Sequence, residues 1–511
     1  MPVNRSRTGP RMPLIILGLS LAFTVTVADP LMFSLNLPQV SRALSVPPGL
    51  VGFLSGAATL VMAAAVLAVG SIADTFGLKR LLMTGLVGVT VVNLFSTLSP
   101  GYRYLLVMRF LDGLALAALL GVSFALLKMS VPAEKRPMAI GVFMATEMVL
   151  CGVTPAFGGW VVDVAGWRWL FLVTPLLALV SLWLTARYVP EPPVLERRRL
   201  DAVGVTLVGL ALLAVVIGIA TAQNGVLRPQ TLVPLAVGAA AAVLFVHHER
   251  RTPEPALDLG LFRSRAFSTA LAATFTLNFI IGGFGFALGQ FGGLVLSLSP
   301  QAIGLLFLPG TLLISGAVVL AGKLISKYTP RPVMTTGLLV MTAGGVLMAL
   351  TASPTMVLWW LVLATWLCNL GSLTTSTSVS ETVLAHAPPE KSGTVASVQQ
   401  AFGMTGYAFG PTVYLLLFNV FFQKEWLKDA ESRGLSVTEA EQALGTARSS
   451  MAVGSGGSGY DPNLLRQVSG LKLDVDFTDG LRLTMLTVSV LPLLMAVAVF
   501  WLMPRREKPQ A

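Results

Sequence analysis

The chain has 511 residues, of which 54% are hydrophobic and 12% are charged. Soluble globular proteins carry about twice that charged fraction, so the composition excludes a soluble protein and predicts one that spans a membrane many times. The formal net charge of +11 would suggest a nucleic-acid partner in a soluble protein. Here, however, most basic residues fall in segments predicted to lie on one side of a membrane, as is usual for membrane proteins. We therefore predict no nucleic-acid partner.

Apolar runs of roughly 20 residues, the length of a membrane-spanning helix, recur along the whole chain. We place fourteen of them near 13–36, 49–70, 79–98, 104–127, 138–162, 168–187, 202–222, 231–247, 267–289, 301–322, 332–352, 355–380, 392–421 and 481–503. They predict an all-α polytopic membrane protein.

The chain repeats itself at an offset of 252 residues. In this register Pro48 meets Pro300 and Gly52 meets Gly304, and further Gly and Leu identities follow. Parallel repeats of this size are typical of secondary transporters. We therefore predict a six-helix bundle in residues 1–187, linkers and two inserted helices in 188–266, and a second six-helix bundle in 267–511.

The basic residues predict the orientation. With the N-terminus in the cytoplasm, most Lys and Arg fall in cytoplasmic segments, and the short outer loops keep little beyond Arg42, Arg103, Arg168 and Arg228. This is the positive-inside pattern. The first apolar run has no cleavage site, so we expect a retained helix, both termini in the cytoplasm and a location in the plasma membrane.

Three acids and one arginine interrupt the apolar runs of the first half. Asp29 lies in helix 1, Arg109 and Asp112 lie three residues apart on one face of helix 4, and Glu147 lies in helix 5. Charged groups inside a membrane are costly and mark ion or substrate pathways, although they also serve as structural hydrogen-bonding groups. We predict that they couple transport to protons, and the sequence leaves open which acid carries the proton.

A short charged segment, residues 70–80, separates helices 2 and 3. Its marked residues are Gly70, Asp74, Gly77, Lys79 and Arg80. We expect a cytoplasmic gating loop in which Asp74 interacts with a neighbouring helix N-terminus, where negative charge is favoured.

The second half carries amides, hydroxyls and aromatic groups in place of acids. We predict that these residues line a substrate cavity, with helix packing as the alternative: Asn278, Gln290, Asn369, Gln399, Gln400 and Tyr407. Residues 422–479 form a predicted outside loop, read either as a lid or partner-docking element or as a weakly constrained solvated segment.

Several motifs resemble the major facilitator superfamily, specifically its fourteen-helix drug:proton antiporter group. Residues 70–80 are similar to the signature between helices 2 and 3, and Arg109 with Gly113 is similar to the helix 4 signature. Asp29 stands where that group has its first-helix acid. The helix 5 signature differs, because Thr154 replaces its first glycine.

The resemblance implies alternating access and export of lipophilic, often cationic compounds, driven by a proton gradient without a cofactor or metal. The expected partners are a small lipophilic substrate, protons and membrane lipid, and the expected state is a monomer. Because the helix 5 signature is altered, a dedicated exporter of a lipid or another metabolite is the alternative. We expect no enzyme, since the sequence shows no nucleophile with a base, no metal-ligand cluster and no phosphate-binding loop.

Overall fold

The computed structural model describes residues 12–132, 135–191, 201–222, 226–252, 259–306, 329–385, 392–432 and 473–503. Within these ranges the chain is helical and contains no strand. Eleven of the described helices are long and apolar enough to cross a membrane. The protein is an integral membrane protein.

The described residues form fourteen α-helices, as predicted. They are α1 (Met12–Ala43), α2 (Pro48–Phe76), α3 (Leu78–Thr97), α4 (Tyr102–Ser130), α5 (Arg136–Ala165), α6 (Leu170–Tyr188), α7 (Ala202–Ala222), α8 (Pro229–Glu249), α9 (Arg265–Leu294), α10 (Pro300–Leu305), α11 (Pro330–Thr351), α12 (Leu358–Ala385), α13 (Ser392–Ser432) and α14 (Leu473–Leu502). We call the side where α1 begins and α14 ends the terminal face, and the opposite side the loop face.

The two bundles pack in the same pattern. In the first, α1 contacts α5 and α6, and α3 contacts α4 and α6; in the second, α9 contacts α13 and α14, and α11 contacts α12 and α14. Large apolar clusters fill each bundle. The packing of these five helices thus recurs in the same order.

The repeat is clearer in the backbone geometry of the two halves than in the identities of their side chains. Ser45 and Ser297, 252 residues apart, both have positive φ (48° and 52°). Gly77 and Thr329, at the same offset, precede α3 and α11 with φ of 91° and 81°. Side chains rarely tolerate such angles, so their recurrence in one register shows that the second half copies the turns of the first.

Glycines bring the two halves together at two matching seams. On one seam α2 meets α13, and a Cβ on Gly52 would lie 2.8 Å from the carbonyl oxygen of Pro411. On the other seam α10 meets α5, where Gly304, the repeat counterpart of Gly52, lies against the backbone of Pro155. Small residues at both positions permit this close backbone approach.

The inserted helices pack beside one of these seams. α7 and α8 pack on each other, and α7 also contacts α2 of the first bundle and α13 of the second. Val216 and Ala220 of α7 share an apolar cluster with Phe53, Leu60 and Ala408. The insertion is therefore in contact with both halves.

Two segments differ from the sequence prediction. Residues 70–80 are not a loop: α2 continues to Phe76 and α3 begins at Leu78, so only Gly77 is non-helical. The predicted outside loop 422–479 is also shorter, because α13 is a helix of 41 residues that ends at Ser432, and α14 already begins at Leu473. Residues 433–472 lie outside the described ranges.

The strained turn before α11 leads to a prediction about stability. Thr329 has φ 81° and ψ 159°, a region that is open essentially only to glycine. Thr329→Gly should therefore raise the free energy of unfolding by about 1 kcal/mol, seen as a higher thermal unfolding midpoint in detergent. The reverse exchange, Gly77→Thr, should lower the midpoint. An unchanged or lower midpoint for Thr329→Gly would contradict the strain.

Candidate functional site

Four membrane helices bring charged and polar side chains together inside the first bundle. Arg109 of α4 donates to Asp29 of α1 at 2.7 Å and to Asp112 of its own helix at 2.9 Å, both from Nη1. All three side chains are at least 96% buried. We call these residues, with their two hydrogen-bonding neighbours described next, the acid network.

Two neutral residues complete the acid network. Asn93 of α3 donates to Asp112 Oδ1 at 2.9 Å, and Thr174 of α6 donates to Asp29 Oδ2 at 2.9 Å. The sequence analysis missed both, because an Asn or Thr in a membrane helix is common and gives no signal of its own. Each hydroxyl or amide satisfies a carboxylate oxygen that burial has removed from water.

The acid network contains one permanent cation and two carboxylates. If both carboxylates are ionised, the network has one excess negative charge in a medium of low dielectric, which is costly. One added proton makes it neutral while Arg109 keeps an ionised partner. Nε and Nη2 of Arg109 have no hydrogen-bond partner among the described residues, and the guanidinium lies 4.5 Å from the ring centre of Phe33.

The third acid lies apart from this network. Glu147 is partly buried in α5 and, among the described residues, accepts a weak hydrogen bond from the Cys151 thiol, at 3.4 Å. No basic residue in the described part of the chain forms an ion pair with it. Phe143, one turn away on the same helical face, packs against Phe23 with ring centres 5.4 Å apart. Glu147 is thus a carboxylate in an apolar and aromatic setting.

The two acidic sites lie at different depths. At 1.5 Å per residue, Asp112 is about 15 Å from the loop-face end of α4, whereas Glu147 is about 27 Å from the loop-face end of α5. The sequence predicted acids inside three helices of the first half. The structure places a buried network nearer the loop face and a partly buried carboxylate nearer the terminal face.

Of the predicted second-half residues, Tyr407 reaches the first-half charges. It lies in α13, and its hydroxyl is close enough to Arg109 and Cys151 to interact electrostatically. Its backbone also packs against Gly282 of α9. Tyr407 is thus a second-half residue within electrostatic range of Arg109 in the acid network.

The predicted amides do not form one group. Asn278 and Asn369 each donate to a carbonyl of their own helix at 2.9 Å, and Gln399 donates to Ser380 at 3.1 Å. Gln400 is half-buried in α13. Gln290 lines a different cavity, near the loop face. The structure therefore brings Tyr407, but not the whole set, to the acids.

The predicted gating segment lies at the terminal face. Lys79 donates to the carbonyl oxygens of Val189 at 2.7 Å and Ala186 at 3.2 Å, so it caps the end of α6. Arg80 is 3.9 Å from Glu191 in an exposed ion pair, which contributes little to stability. Gly70 and Asp74 lie in the last turns of α2, but the side chain of Asp74 is outside the described part, so its interaction stays a prediction.

Comparison with known sequences identifies relatives across most of the chain. A family model described as the Major Facilitator Superfamily matches residues 14–411. The multidrug efflux pump LfrA of Mycolicibacterium smegmatis is 31% identical over 369 residues, which cover 71% of this chain and 72% of that protein. The methyl viologen resistance protein SmvA of Salmonella typhimurium is 27% identical over 393 residues, covering 76% and 79%.

Solved structures share the fold at low sequence identity. A bacterial homologue of the human lysosomal transporter Spinster, in an inward-facing and unoccupied conformation, superposes with a TM-score of 0.65 at 16% identity and covers 96% of this chain and 97% of its own. A peptide transporter in complex with sulfate gives 0.64 at 15% identity and covers 98% of each chain. At such identities the likeness concerns the fold alone.

The acid network gives a second prediction. Arg109→Met leaves two buried carboxylates without their cation and should destabilise the protein by about 3–5 kcal/mol. Adding Asp29→Asn and Asp112→Asn to it removes the uncompensated charges, so the triple variant should recover most of the lost thermal midpoint. Arg103→Met, which removes an exposed arginine of the same helix, serves as the control. A triple variant no more stable than Arg109→Met would refute the electrostatic account.

Proposed function

Because this chain belongs to the Major Facilitator Superfamily, we propose that it exports lipophilic cations in exchange for protons by alternating access. The observation that carries the proposal is the separation of two acidic sites in one bundle. One is a buried network with a single cation, and the other is a partly buried carboxylate that has no ion-pair partner among the described residues. An antiporter has to bind both of its cargoes, and these two sites differ in their chemistry.

The acid network is the proposed proton site. Its five side chains come from α1, α3, α4 and α6, so a change of charge there alters the interaction of four helices at once. Protonation of Asp29 or Asp112 lowers the cost of burying the network in a closed bundle. Each proton that crosses the membrane contributes about 2.3 kcal/mol per 100 mV of potential, which is the driving force available for export.

Glu147 is the proposed binding site for the cation. A half-buried carboxylate attracts an organic cation more strongly than in water, because the low dielectric weakens screening. Phe143 lies one turn away on the same helical face and packs against Phe23, and aromatic faces stabilise cations that have lost their water. The relative SmvA is named for resistance to methyl viologen, an organic dication, which supports this class of substrate.

The two sites communicate through α1. This helix carries Asp29, packs along α5, which carries Glu147, and contacts α9 of the second bundle. A change in the ion pair of Asp29 with Arg109 therefore bears on the contact between the halves. The proton enters from the loop face, on whose side the acid network lies, and the substrate binds nearer the terminal face.

We assign the terminal face to the cytoplasm. Lys79 and Arg80 begin α3 there, and Arg250 and Arg251 follow α8 there, in accord with the excess of basic residues on the cytoplasmic side of membrane proteins. Protons then enter from outside, down their gradient, as substrate leaves the cytoplasm.

The test is proton release induced by substrate, measured with a pH dye on protein reconstituted in liposomes. Methyl viologen should release protons from the wild type. Asp29→Asn and Asp112→Asn should reduce the release at least tenfold and retain binding of the cation. Glu147→Gln should weaken binding about tenfold, equal to about 1.4 kcal/mol. Glu191→Gln, an exposed acid of the terminal face, should behave as wild type.

Two results would overturn the proposal. If all three neutral variants bind and transport the cation as the wild type does, the acids do not couple transport. If no cation causes proton movement but a neutral lipid does, the chain is a dedicated lipid exporter with the same fold, and the carboxylate of Glu147 has another role.

A further inference from the structure

A cavity lies near the loop face, away from the acidic sites. It has a volume of about 170 Å³. Its walls come from both halves of the molecule, namely α1 and α2 of the first bundle and α9, α13 and α14 of the second. Nothing in the proposed transport of cations assigns a role to this cavity.

Most of its wall is apolar and aromatic. Phe286 of α9 and Tyr414 of α13 are buried on one side. On the other side, Phe418 and Phe422 of α13 pack against Phe477 of α14, the closest rings having centres 4.5 Å apart. Phe422 of α13 and Phe477 of α14, which lie outside the apolar runs predicted from the sequence, thus help to cover the cavity. A hydrocarbon chain is the kind of group that gains free energy by burial in such walls.

One cation stands at the rim. Arg42, in the last turn of α1, lines the cavity and is half-buried. Its side chain has no hydrogen-bond or ion-pair partner in the described part of the chain. Two acids of the covering helices are already engaged, since Asp479 pairs with Arg482 at 2.9 Å and Glu425 pairs with Lys428 at 3.5 Å. The guanidinium of Arg42 is therefore available to an anionic group.

This cavity is distinct from the cation site. Arg42 is 13 residues beyond Asp29 on α1, about 20 Å along the helix. Between them α1 and α9 are in backbone contact, because a Cβ on Gly289 would lie 3.0 Å from the carbonyl oxygen of Leu35. The charges also differ: Glu147 attracts cations, whereas Arg42 repels them.

We propose that the loop-face cavity binds an anionic amphiphile, with its hydrocarbon tail among the aromatic side chains and its carboxylate or phosphate head on Arg42. Arg42 presents a planar fork of donors that suits both kinds of head. A lipid of the adjacent leaflet and a free fatty acid share this chemistry. The site does not depend on the proposed export function, because binding needs only the cavity and the cation.

The bound tail would contact both halves of the molecule. A ligand that binds this arrangement of the helices better than an open or unfolded one stabilises it by mass action. Binding should therefore raise the thermal unfolding midpoint in proportion to the logarithm of ligand concentration, which gives a readout that needs no transport.

The experiment measures binding to purified full-length protein by native mass spectrometry and by thermal midpoint. Oleate and phosphatidylglycerol are the anionic probes, monoolein supplies the tail without charge, and inorganic phosphate supplies the head alone. We expect oleate or phosphatidylglycerol to bind at least tenfold more tightly than monoolein, and phosphate not to bind. The anion that binds better identifies the source as free fatty acid or membrane lipid.

Four variants locate the site. Arg42→Gln should abolish the preference for anions, and Arg42→Lys should keep most of it. Arg103→Gln removes an exposed cation from the same face and should change nothing. Ala287→Phe, which fills the buried wall, should weaken oleate and monoolein alike. Cation-induced proton release should be unaffected in Arg42→Gln, so the two proposals succeed or fail separately.

Several outcomes would overturn the inference. If Arg42→Gln binds oleate as the wild type does, Arg42 does not hold the head. If monoolein binds as well as oleate, the cavity selects no charge. If phosphate binds as tightly as oleate, the site is an adventitious anion site only. If neither anionic amphiphile binds, the cavity has no such ligand.

Discussion

The burial of one guanidinium between two carboxylates is the constraint on which the first bundle depends. A charge in a membrane interior is costly unless it is paired and hydrogen-bonded. Here the partners are supplied by four helices, since Asn93 and Thr174 satisfy the carboxylates that Arg109 pairs. The positions of α1, α3, α4 and α6 are therefore fixed by electrostatics as well as by apolar packing.

The second bundle reproduces the geometry of the first without this chemistry. The turns at Ser297 and Thr329 copy those at Ser45 and Gly77, and the helices pack in the same pattern. Of its predicted polar residues, Asn278 and Asn369 bond within their own helices, and Gln399 bonds to Ser380 of the neighbouring helix. A duplicated framework thus places the Arg109 ion pairs in the first half. The ion pairs described in the second half, Asp479 with Arg482 and Glu425 with Lys428, each lie within one helix, so movement of one half against the other leaves them intact.

The sequence predicted helices well because membrane length and apolar composition are local properties. It also located the acids, since a carboxylate among apolar residues is conspicuous. It could not find Asn93 or Thr174, whose roles depend on contacts between residues 19 and 145 positions apart. It ended helix 13 too early, because polar residues after Phe422 suggested a loop, whereas a helix can continue into water when its apolar face packs on a neighbour. The charged residues Lys79 and Arg80 likewise suggested a loop, whereas both lie in the first turn of α3.

The two seams between the halves are not equivalent, because the inserted helix α7 packs on the first of them. Two related halves meet along α2–α13 and along α5–α10, and only the first seam has α7 packed on both of its sides. The second has no comparable cover in the described part of the chain. A molecule dissolved in the lipid therefore meets the inserted helix α7 at the first seam, whereas at the described part of the second seam, formed by α5 and α10, it meets no inserted helix. The helix that carries Glu147 is part of that second seam.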